Sequence, residues 1–302
     1  MTDIKNYETF VKIEPINKGY SGQEKYYIET ADSRRLLLKI SDADGYWGYE
    51  SKKKVFNIMK KFAALNIQMC DPIDFGLCNN GKSAYLMLKW CDGEDLENII
   101  TSLSETTRYS LGIKAGEILR KIHSVSVPEK PENWHSNYIK GAYGVVEEFN
   151  KTGVQIEGSD TIFHYFKDNK HLIDDRPLSF THGDYHTGNF MVTENGDLSV
   201  VDWDMVGCGD PWEDFSAINN ADVFPYFTTG LVRGYFGGEP PAEFWNVTTI
   251  YLSIRALSCV NWAMGYPESF ESCVKNVKDT LIWFDNMRNP VPTWYLKDYN
   301  GK

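Results

Sequence analysis

Residues 189–202 carry the strongest local folding signal of this chain. The pair Asn195-Gly196 is typical of a tight turn between antiparallel strands, and apolar runs flank it, NFMVTE before and DLSVVD after. A two-residue turn predicts that Asn189 lies opposite Asp202, with the two Cβ atoms about 5 Å apart. The pattern therefore predicts a hairpin whose open end brings an amide and a carboxylate together.

Carboxylate and amide oxygens together can bind a hard cation such as Mg²⁺. Asp184 precedes Asn189 by five positions, in a loop that leads to the same end of the hairpin. The catalytic loop of protein kinases has the same spacing between the aspartate that accepts the substrate hydroxyl proton and the asparagine that binds Mg²⁺. The spacing thus points to phosphoryl transfer.

The chain changes character along its 302 residues. Residues 1–91 alternate between short apolar runs and turn signals, which predicts strands with one helix. Residues 92–302 contain long segments with helical periodicity, of which AEFWNVTTIYLSIRALSCVNWAMGY is apolar on all sides and should be buried. We therefore predict a β-rich domain over 1–91 and a helical domain over 92–302.

Charge and cysteine content restrict the partners and the compartment. The net charge is −11, which argues against a nucleic-acid partner and is compatible with a cationic ligand. No apolar stretch approaches the length of a transmembrane helix, and the N-terminal residues do not resemble a signal peptide. The six cysteines form no C-x-x-C pair, so reduced thiols in the cytoplasm are expected.

Three segments, HGDYHTGN, VVDWD and GDPWEDFS, resemble the aminoglycoside phosphotransferase family, a group of kinase-like small-molecule phosphotransferases. The resemblance extends over nearly the whole chain. It implies an α+β, bilobal protein-kinase-like fold with a β-rich N-terminal lobe and a mostly helical C-terminal lobe. It also implies Asp184 as the catalytic residue, Asn189 and Asp202 as Mg²⁺ ligands, and ATP or GTP as the phosphoryl donor.

The resemblance extends to the first lobe. Lys39 lies on a predicted strand face and needs an anionic partner if it is buried, a role that the α- and β-phosphates of ATP would fill. Glu50, in the following helix region, is the expected protein partner of Lys39. Ser21 and Gly22 belong to a loop expected to cover the phosphates. The connector from Lys89 to Cys91 is expected to contact the adenine.

The remaining motif residues are expected to support the loop. His182 should orient it, and Asp210 and Asp214 should brace it, although a substrate contact by Asp214 stays open. Asp204 could assist a second metal ion, face the substrate or be held by structural hydrogen bonds.

Three functions remain open from the sequence. The first is the phosphorylation of an aminoglycoside or related antibiotic, which would confer antibiotic resistance. The second is a metabolic kinase for choline, ethanolamine or an amino sugar, and the third is a catalytically inactive nucleotide-binding module. A quaternary ammonium needs an aromatic cage, whereas a polyamine needs several carboxylates. The second lobe contains both types of residue: Trp245, Tyr251, Trp262, Tyr266, Asp222, Glu268 and Glu271.

Overall fold

The structure, a computed structural model, describes residues 1–17, 22–128, 131–218, 221–299 and 301. Its contacts divide the chain into two units, which are described separately below. The first unit combines Met1–Leu96 with Asn189–Val206, and the second combines Glu97–Gly188 with Gly207–Lys302. The predicted domain boundary between residues 91 and 92 remains a proposal. The segment Asn189–Val206, which contains the hairpin, belongs to the first unit.

Strands occur in both units. In chain order they are β1 (Phe10–Pro15), β2 (Glu24–Thr30), β3 (Arg35–Asp42), β4 (Pro72–Cys78), β5 (Ser83–Lys89), β6 (Glu94–Asp95), β7 (Ser179–Thr181), β8 (Phe190–Val192), β9 (Leu198–Val200) and β10 (Gly207–Gly209). The α-helices are α1 (Tyr49–Ala64), α2 (Leu96–Ile99), α3 (Glu105–His123), α4 (Trp134–Thr152), α5 (Ser159–Asn169), α6 (Pro225–Phe236), α7 (Ala242–Ala263) and α8 (Phe270–Trp283).

An antiparallel sheet with the strand order β1-β2-β3-β5-β4 dominates the first unit. Helix α1 packs on β4 and β5 and buries Val55, Met59 and Phe62, which lie at helical spacing. The β2–β3 hairpin is the one that the turn-rich ADS gap predicts. The expected class, a β-rich N-terminal part followed by a mostly helical part, is confirmed.

The hairpin around Asn195-Gly196 forms, but its predicted register is wrong by one residue. Phe190 pairs with Val200 and Val192 with Leu198. The loop therefore has three residues, Glu194 to Gly196, and Gly196 adopts a φ of 75°, as a three-residue hairpin loop requires.

Burial explains this register. The four residues at the two ends of β8 and β9 are all buried, so the observed pairing places them on one face. As a result, Asn189 lies opposite Val201, whose N–H donates to the Asn189 carbonyl at 2.9 Å, and Asp202 follows one residue later.

The second unit is built on a close crossing of α3 and α6, the most extensive contact between any two elements. Glycines line the crossing on both helices: Gly112, Gly116, Gly230 and Gly234. A Cβ on any of them would meet a backbone carbonyl of the other helix well inside van der Waals distance. The crossing therefore requires glycine because of space rather than backbone conformation. Strands β7 and β10 pair beside these helices.

Helix α7, the all-round apolar segment, forms as predicted and is buried along most of its length. Cys259 on α7 forms a disulfide with Cys273 on α8, so the expectation of six reduced thiols is wrong for this pair. Fourteen residues separate the two cysteines in sequence, and only the packing of α8 on α7 brings them together. Among the described residues, no helix has both the length and the apolar character needed to cross a bilayer.

The helix crossing leads to a first prediction. We expect Gly116→Ala to lower the free energy of unfolding by about 2 kcal/mol or more, because the new methyl group overpacks a rigid backbone contact. Urea denaturation followed by circular dichroism measures the change.

Gly144→Ala is the matched control. Gly144 lies in α4, and no atom lies within 4 Å of its Cβ position. The free energy of unfolding of this control should rise by up to about 1 kcal/mol, because alanine favours a helix more than glycine does. Equal stability of both variants would show that the crossing tolerates a side chain.

Candidate active site

Lys39 is a buried charged residue of the first unit. It lies on β3, and only 3% of it is exposed. Its Nζ lies 2.7 Å from Asp202 Oδ1 and 2.9 Å from Asp204 Oδ2. Burial alone would lower the pKa of the Lys39 ammonium, but the charges of Asp204 and Asp202 raise it above the usual range. Lys39 is therefore a protonated lysine held between two carboxylates.

The backbone after β9 positions both carboxylates. Asp202 has a φ of 60°, which is uncommon for a residue other than glycine. Trp203, which follows, is almost fully buried, and its ring packs 5.1 Å from that of Phe62 on α1. This anchor fixes the short turn of Trp203–Met205, and Asp204 emerges from it toward Lys39. Of the three roles left open for Asp204, the structure has the hydrogen-bonded one.

The expected pairing of Glu50 with Lys39 is wrong in this structure. Glu50 is on the first turn of α1, its side chain is 82% exposed, and its carboxylate lies 3.8 Å from Lys53 Nζ. The buried face of α1 begins instead at Lys52. The apolar spacing of α1 predicts its buried face correctly, but it does not place Glu50 on that face.

Asn189 and Asp202 have the donor chemistry for a hard cation. Asn189 is buried and Asp202 is half-exposed, and the two lie at the end of the β8–β9 hairpin. Their amide and carboxylate oxygens fit Mg²⁺, whose remaining ligands in nucleotide sites are phosphates and water. In the part of the chain that the structure describes, no group of three or more histidine, cysteine, aspartate or glutamate side chains could hold a metal.

The other predicted nucleotide contacts have different outcomes. Ser21 lies outside the described residues, whereas Gly22 has a φ of 68° and no atom within 4 Å of its Cβ position. The Lys89 N–H donates to the Asp71 carbonyl at 2.8 Å, so an adenine contact by Lys89 would need another of its groups. Cys91 is half-buried, in the connector beyond β5.

The predicted catalytic aspartate lies in the second unit. Asp184 Oδ1 accepts from Arg255 Nη2 at 2.6 Å, and Asp184 Oδ2 lies 3.3 Å from His186 Nε2. Burial by itself would raise the pKa of Asp184, but the hydrogen bond from His186 and the charges of His186, Arg255 and His182 hold it well below its usual range. Asp184 is therefore ionised at neutral pH, the state needed to accept a hydroxyl proton.

Asp214 braces the loop that carries Asp184. Its Oδ1 accepts from the Gly183 N–H at 2.7 Å, and its Oδ2 accepts from the His182 N–H at 2.8 Å. His123 Nε2 lies 2.9 Å from the same Oδ2. The predicted bracing role is confirmed, and these contacts give Asp214 a structural role.

Asp210 braces a neighbouring segment. It accepts from Arg176 Nε at 2.7 Å and from the Tyr251 hydroxyl at 2.8 Å.

The sequence interpretation missed four residues that the structure places next to predicted ones. They are Gln23, Lys52, Glu213 and Arg255. Arg255 lies 71 positions after Asp184, so no local pattern connects them. Lys52 carried a usable signal, because it lies three residues before Val55 and seven before Met59, on the same face of α1.

The chain belongs to the phosphotransferase enzyme family, whose sequence profile matches residues 12–245, more than half of the chain. The resemblance inferred from the three motifs is thereby confirmed. A comparison with curated protein sequences gives no significant match.

Solved kinase structures share the fold at low sequence identity. A choline/ethanolamine kinase family protein from Mesorhizobium loti is 17% identical, with a TM-score of 0.67 and coverage of 96% of this chain and 95% of that one. The GDP complex of an aminoglycoside 2′-phosphotransferase-IIIa is 12% identical, with a TM-score of 0.69 and coverage of 90% and 92%. An amicoumacin kinase in complex with AMP-PNP and Ca²⁺ is 12% identical, with a TM-score of 0.62 and coverage of 93% and 90%.

The brace by Asp214 leads to a second prediction. We expect Asp214→Ala to lower the free energy of unfolding by about 3 kcal/mol, because it leaves two backbone N–H groups without their acceptor at about 1–3 kcal/mol each. Chemical denaturation measures the loss.

Asp175→Ala, at an exposed aspartate of the same unit, is the control and should stay within about 0.5 kcal/mol of the parent. If Asp214→Ala lowers the free energy of unfolding no more than the control does, Asp214 does not brace the loop.

Proposed function

We propose that this phosphotransferase is ATP-dependent and transfers the γ-phosphoryl group to a hydroxyl of a small cationic molecule. The observation that carries the proposal is the buried, protonated Lys39, whose ammonium lies between Asp202 and Asp204. A buried cation beside a predicted metal ligand suits a Mg²⁺–polyphosphate complex. Membership of the family supports the same chemistry. We place the reaction in the cytoplasm, where ATP is available.

The residues of the first unit bind the donor. Lys39 holds the phosphates, Asn189 and Asp202 would hold Mg²⁺, and the backbone at Gly22 approaches the phosphate chain. Bound Mg²⁺ neutralises phosphate charge during transfer. The connector from Lys89 to Cys91 contacts the base. ATP is the proposed donor, and GTP is the alternative that a direct comparison of the two nucleotides decides.

Asp184, in the second unit, acts on the acceptor. Its ionised carboxylate orients the substrate hydroxyl and accepts the proton as the γ-phosphoryl group is transferred. Arg255 and His186 keep the carboxylate charged and limit its rotation. Most of the rate acceleration in such reactions comes from positioning and electrostatics rather than from covalent chemistry.

A cationic acceptor, with aminoglycosides the leading class, is supported by the surroundings of Glu213. A Cβ on Gly209 would lie 2.9 Å from Glu213 Oε2 and 3.3 Å from the ring of Trp134, so an acid and an aromatic ring flank one glycine. Trp134 in turn stacks on Tyr138 at a centroid distance of 5.4 Å. Carboxylates and aromatic faces are the groups that bind ammonium ions.

A second candidate, a kinase of choline or ethanolamine type, is favoured by an exposed aromatic pair. Trp262 and Tyr266 stack at 4.5 Å, and Trp262 is 40% exposed. Trp245 and Tyr251 are buried in the core and are therefore unavailable as cage residues.

A coupled ADP-release assay distinguishes these functions. The substrate panel contains aminoglycosides, macrolides, choline, ethanolamine and amino sugars, each with ATP and with GTP. Turnover with an aminoglycoside supports the leading proposal, and turnover with choline alone supports the second. Nucleotide binding without turnover on any substrate would leave a catalytically inactive binding module.

The third prediction tests the catalytic role. We expect Asp184→Asn to lower kcat by a factor of about 10² to 10⁴, because the amide cannot accept the hydroxyl proton. The Kd for MgATP, measured by titration calorimetry, should not change. Asp174→Asn, at an exposed position of the same unit, is the control. Near-native turnover of Asp184→Asn would show that another group accepts the proton.

The fourth prediction concerns attraction of the substrate. Burial, followed by the charges of Asp214 and Asp210, raises the pKa of Glu213 to about 8. At about pH 8.5 Glu213 is mostly ionised, and the KM for a cationic substrate should rise severalfold as the salt concentration rises from about 0.05 to 0.5 M, with a smaller change in kcat.

Glu213→Gln should weaken this salt dependence, whereas Glu29→Gln, an exposed acid of the first unit, should not. Robust phosphorylation of a neutral sugar without a salt effect would contradict the cationic assignment.

A further inference from the structure

Lys52 is a buried lysine whose described hydrogen bond goes to a neutral group. It lies on the inner face of α1 and is 3% exposed. Its Nζ donates to Gln23 Oε1 at 2.6 Å. A buried ammonium is costly unless an anion compensates it, and an amide oxygen supplies only part of that compensation. The position therefore favours a further negative charge close to Lys52.

Lys52 belongs to the same network as Lys39. Gln23 Nε2 donates to Asp204 Oδ2 at 2.6 Å, and the same oxygen accepts from Lys39 Nζ at 2.9 Å. The side-chain amide of Gln23 therefore links Lys52 to the Asp204 carboxylate, which also binds Lys39. Burial lowers the pKa of Lys52 to about 8, the charge of Asp204 opposes this, and the charge of Lys39 adds to it. The hydrogen bonds of Gln23 and Asp204 connect the two ammonium groups.

The charge balance of this network is incomplete once a metal is bound. In the proposed function Asp202 becomes a metal ligand, which leaves Asp204 as the carboxylate shared by Lys39 and, through Gln23, by Lys52. Two buried ammonium groups then share one carboxylate. Phosphate oxygens are the anions expected beside Lys39, and they would restore the balance.

We propose that Lys52 is a second polyphosphate-binding lysine, which contacts the phosphate oxygens of a bound nucleoside di- or triphosphate. This inference rests on the proposed function, because it needs a nucleotide at Lys39. The proposal also gives a role to the inner face of α1, which carries Lys52, whereas Glu50 on the same helix faces solvent. The ion pair with Lys39 comes from Asp202 and Asp204 instead.

Binding of nucleotides that differ only in their phosphates tests the assignment. Titration calorimetry measures the Kd of ATP, ADP and adenosine, each with Mg²⁺, for the parent protein and for Lys52→Met. We expect the variant to bind ADP and ATP about tenfold or more weakly, which corresponds to about 1.4 kcal/mol, and adenosine equally well. Lys52→Arg should recover part of the loss. Lys53→Met, at the neighbouring exposed lysine, is the control and should leave all three constants unchanged.

A second variant separates phosphate binding from a purely structural link. If Lys52 only holds the Gln23 loop in place, Gln23→Ala should weaken ATP binding as much as Lys52→Met does, and that result would overturn the proposal. If Lys52 contacts phosphate, Gln23→Ala should keep the preference for ATP over adenosine.

Two further outcomes are informative. A parent protein that binds no nucleotide refutes the proposed function, whereas a parent that binds ATP and a Lys52→Met variant that binds it equally well refute only this inference. Should Lys52→Met fail to fold, the NMR signal of the Lys52 side-chain ammonium in the parent protein decides. It should shift on titration with ADP and not with adenosine, and an unchanged signal with both overturns the assignment.

Discussion

The burial of the Lys39 ammonium is the constraint on which the first unit depends. A lysine that is 3% exposed is stable only beside anions, and two carboxylates from one short turn supply them. That turn follows β9, and the burial of Trp203 against Phe62 holds it in place. The sheet, the hairpin and α1 therefore together keep the Lys39 ammonium buried beside its carboxylates, the arrangement on which the proposed phosphate binding rests.

The second unit holds the loop that carries the ionised Asp184. Asp214 is buried, and its carboxylate accepts hydrogen bonds from two backbone N–H groups of this loop, those of His182 and Gly183. Arg255, on the long buried helix α7, then fixes the Asp184 carboxylate. Tyr185, the residue after Asp184, donates its hydroxyl to the Ala115 carbonyl of α3 at 2.7 Å and so connects the loop to the helix that crosses α6.

Family membership and substrate choice are separate conclusions for this protein. The residues of the phosphoryl-transfer motif lie in the segment matched by the family profile, whereas solved relatives below 20% identity show the fold alone. In the proposed function, substrate choice depends on side chains of the second unit such as Glu213, Trp134 and Trp262, of which only Glu213 lies in one of the three motifs. The buried face of α1 carries Lys52, whereas Glu50, the glutamate expected to pair with Lys39, is exposed.

The sequence by itself determined the family, the β-rich first part followed by a mostly helical part, the buried face of α1 and the motif positions Asp184, Asn189 and Asp202. These depend on local spacing and on apolar periodicity, which a sequence contains directly. The tertiary structure alone decided the hairpin register, the carboxylates that pair with Lys39, the exposure of Glu50, the Cys259–Cys273 disulfide and the contact of Arg255 with Asp184. Each of these features depends on how the strands and helices pack against one another. The free energy of that packing is spread over many side chains, so no short stretch of sequence encodes it.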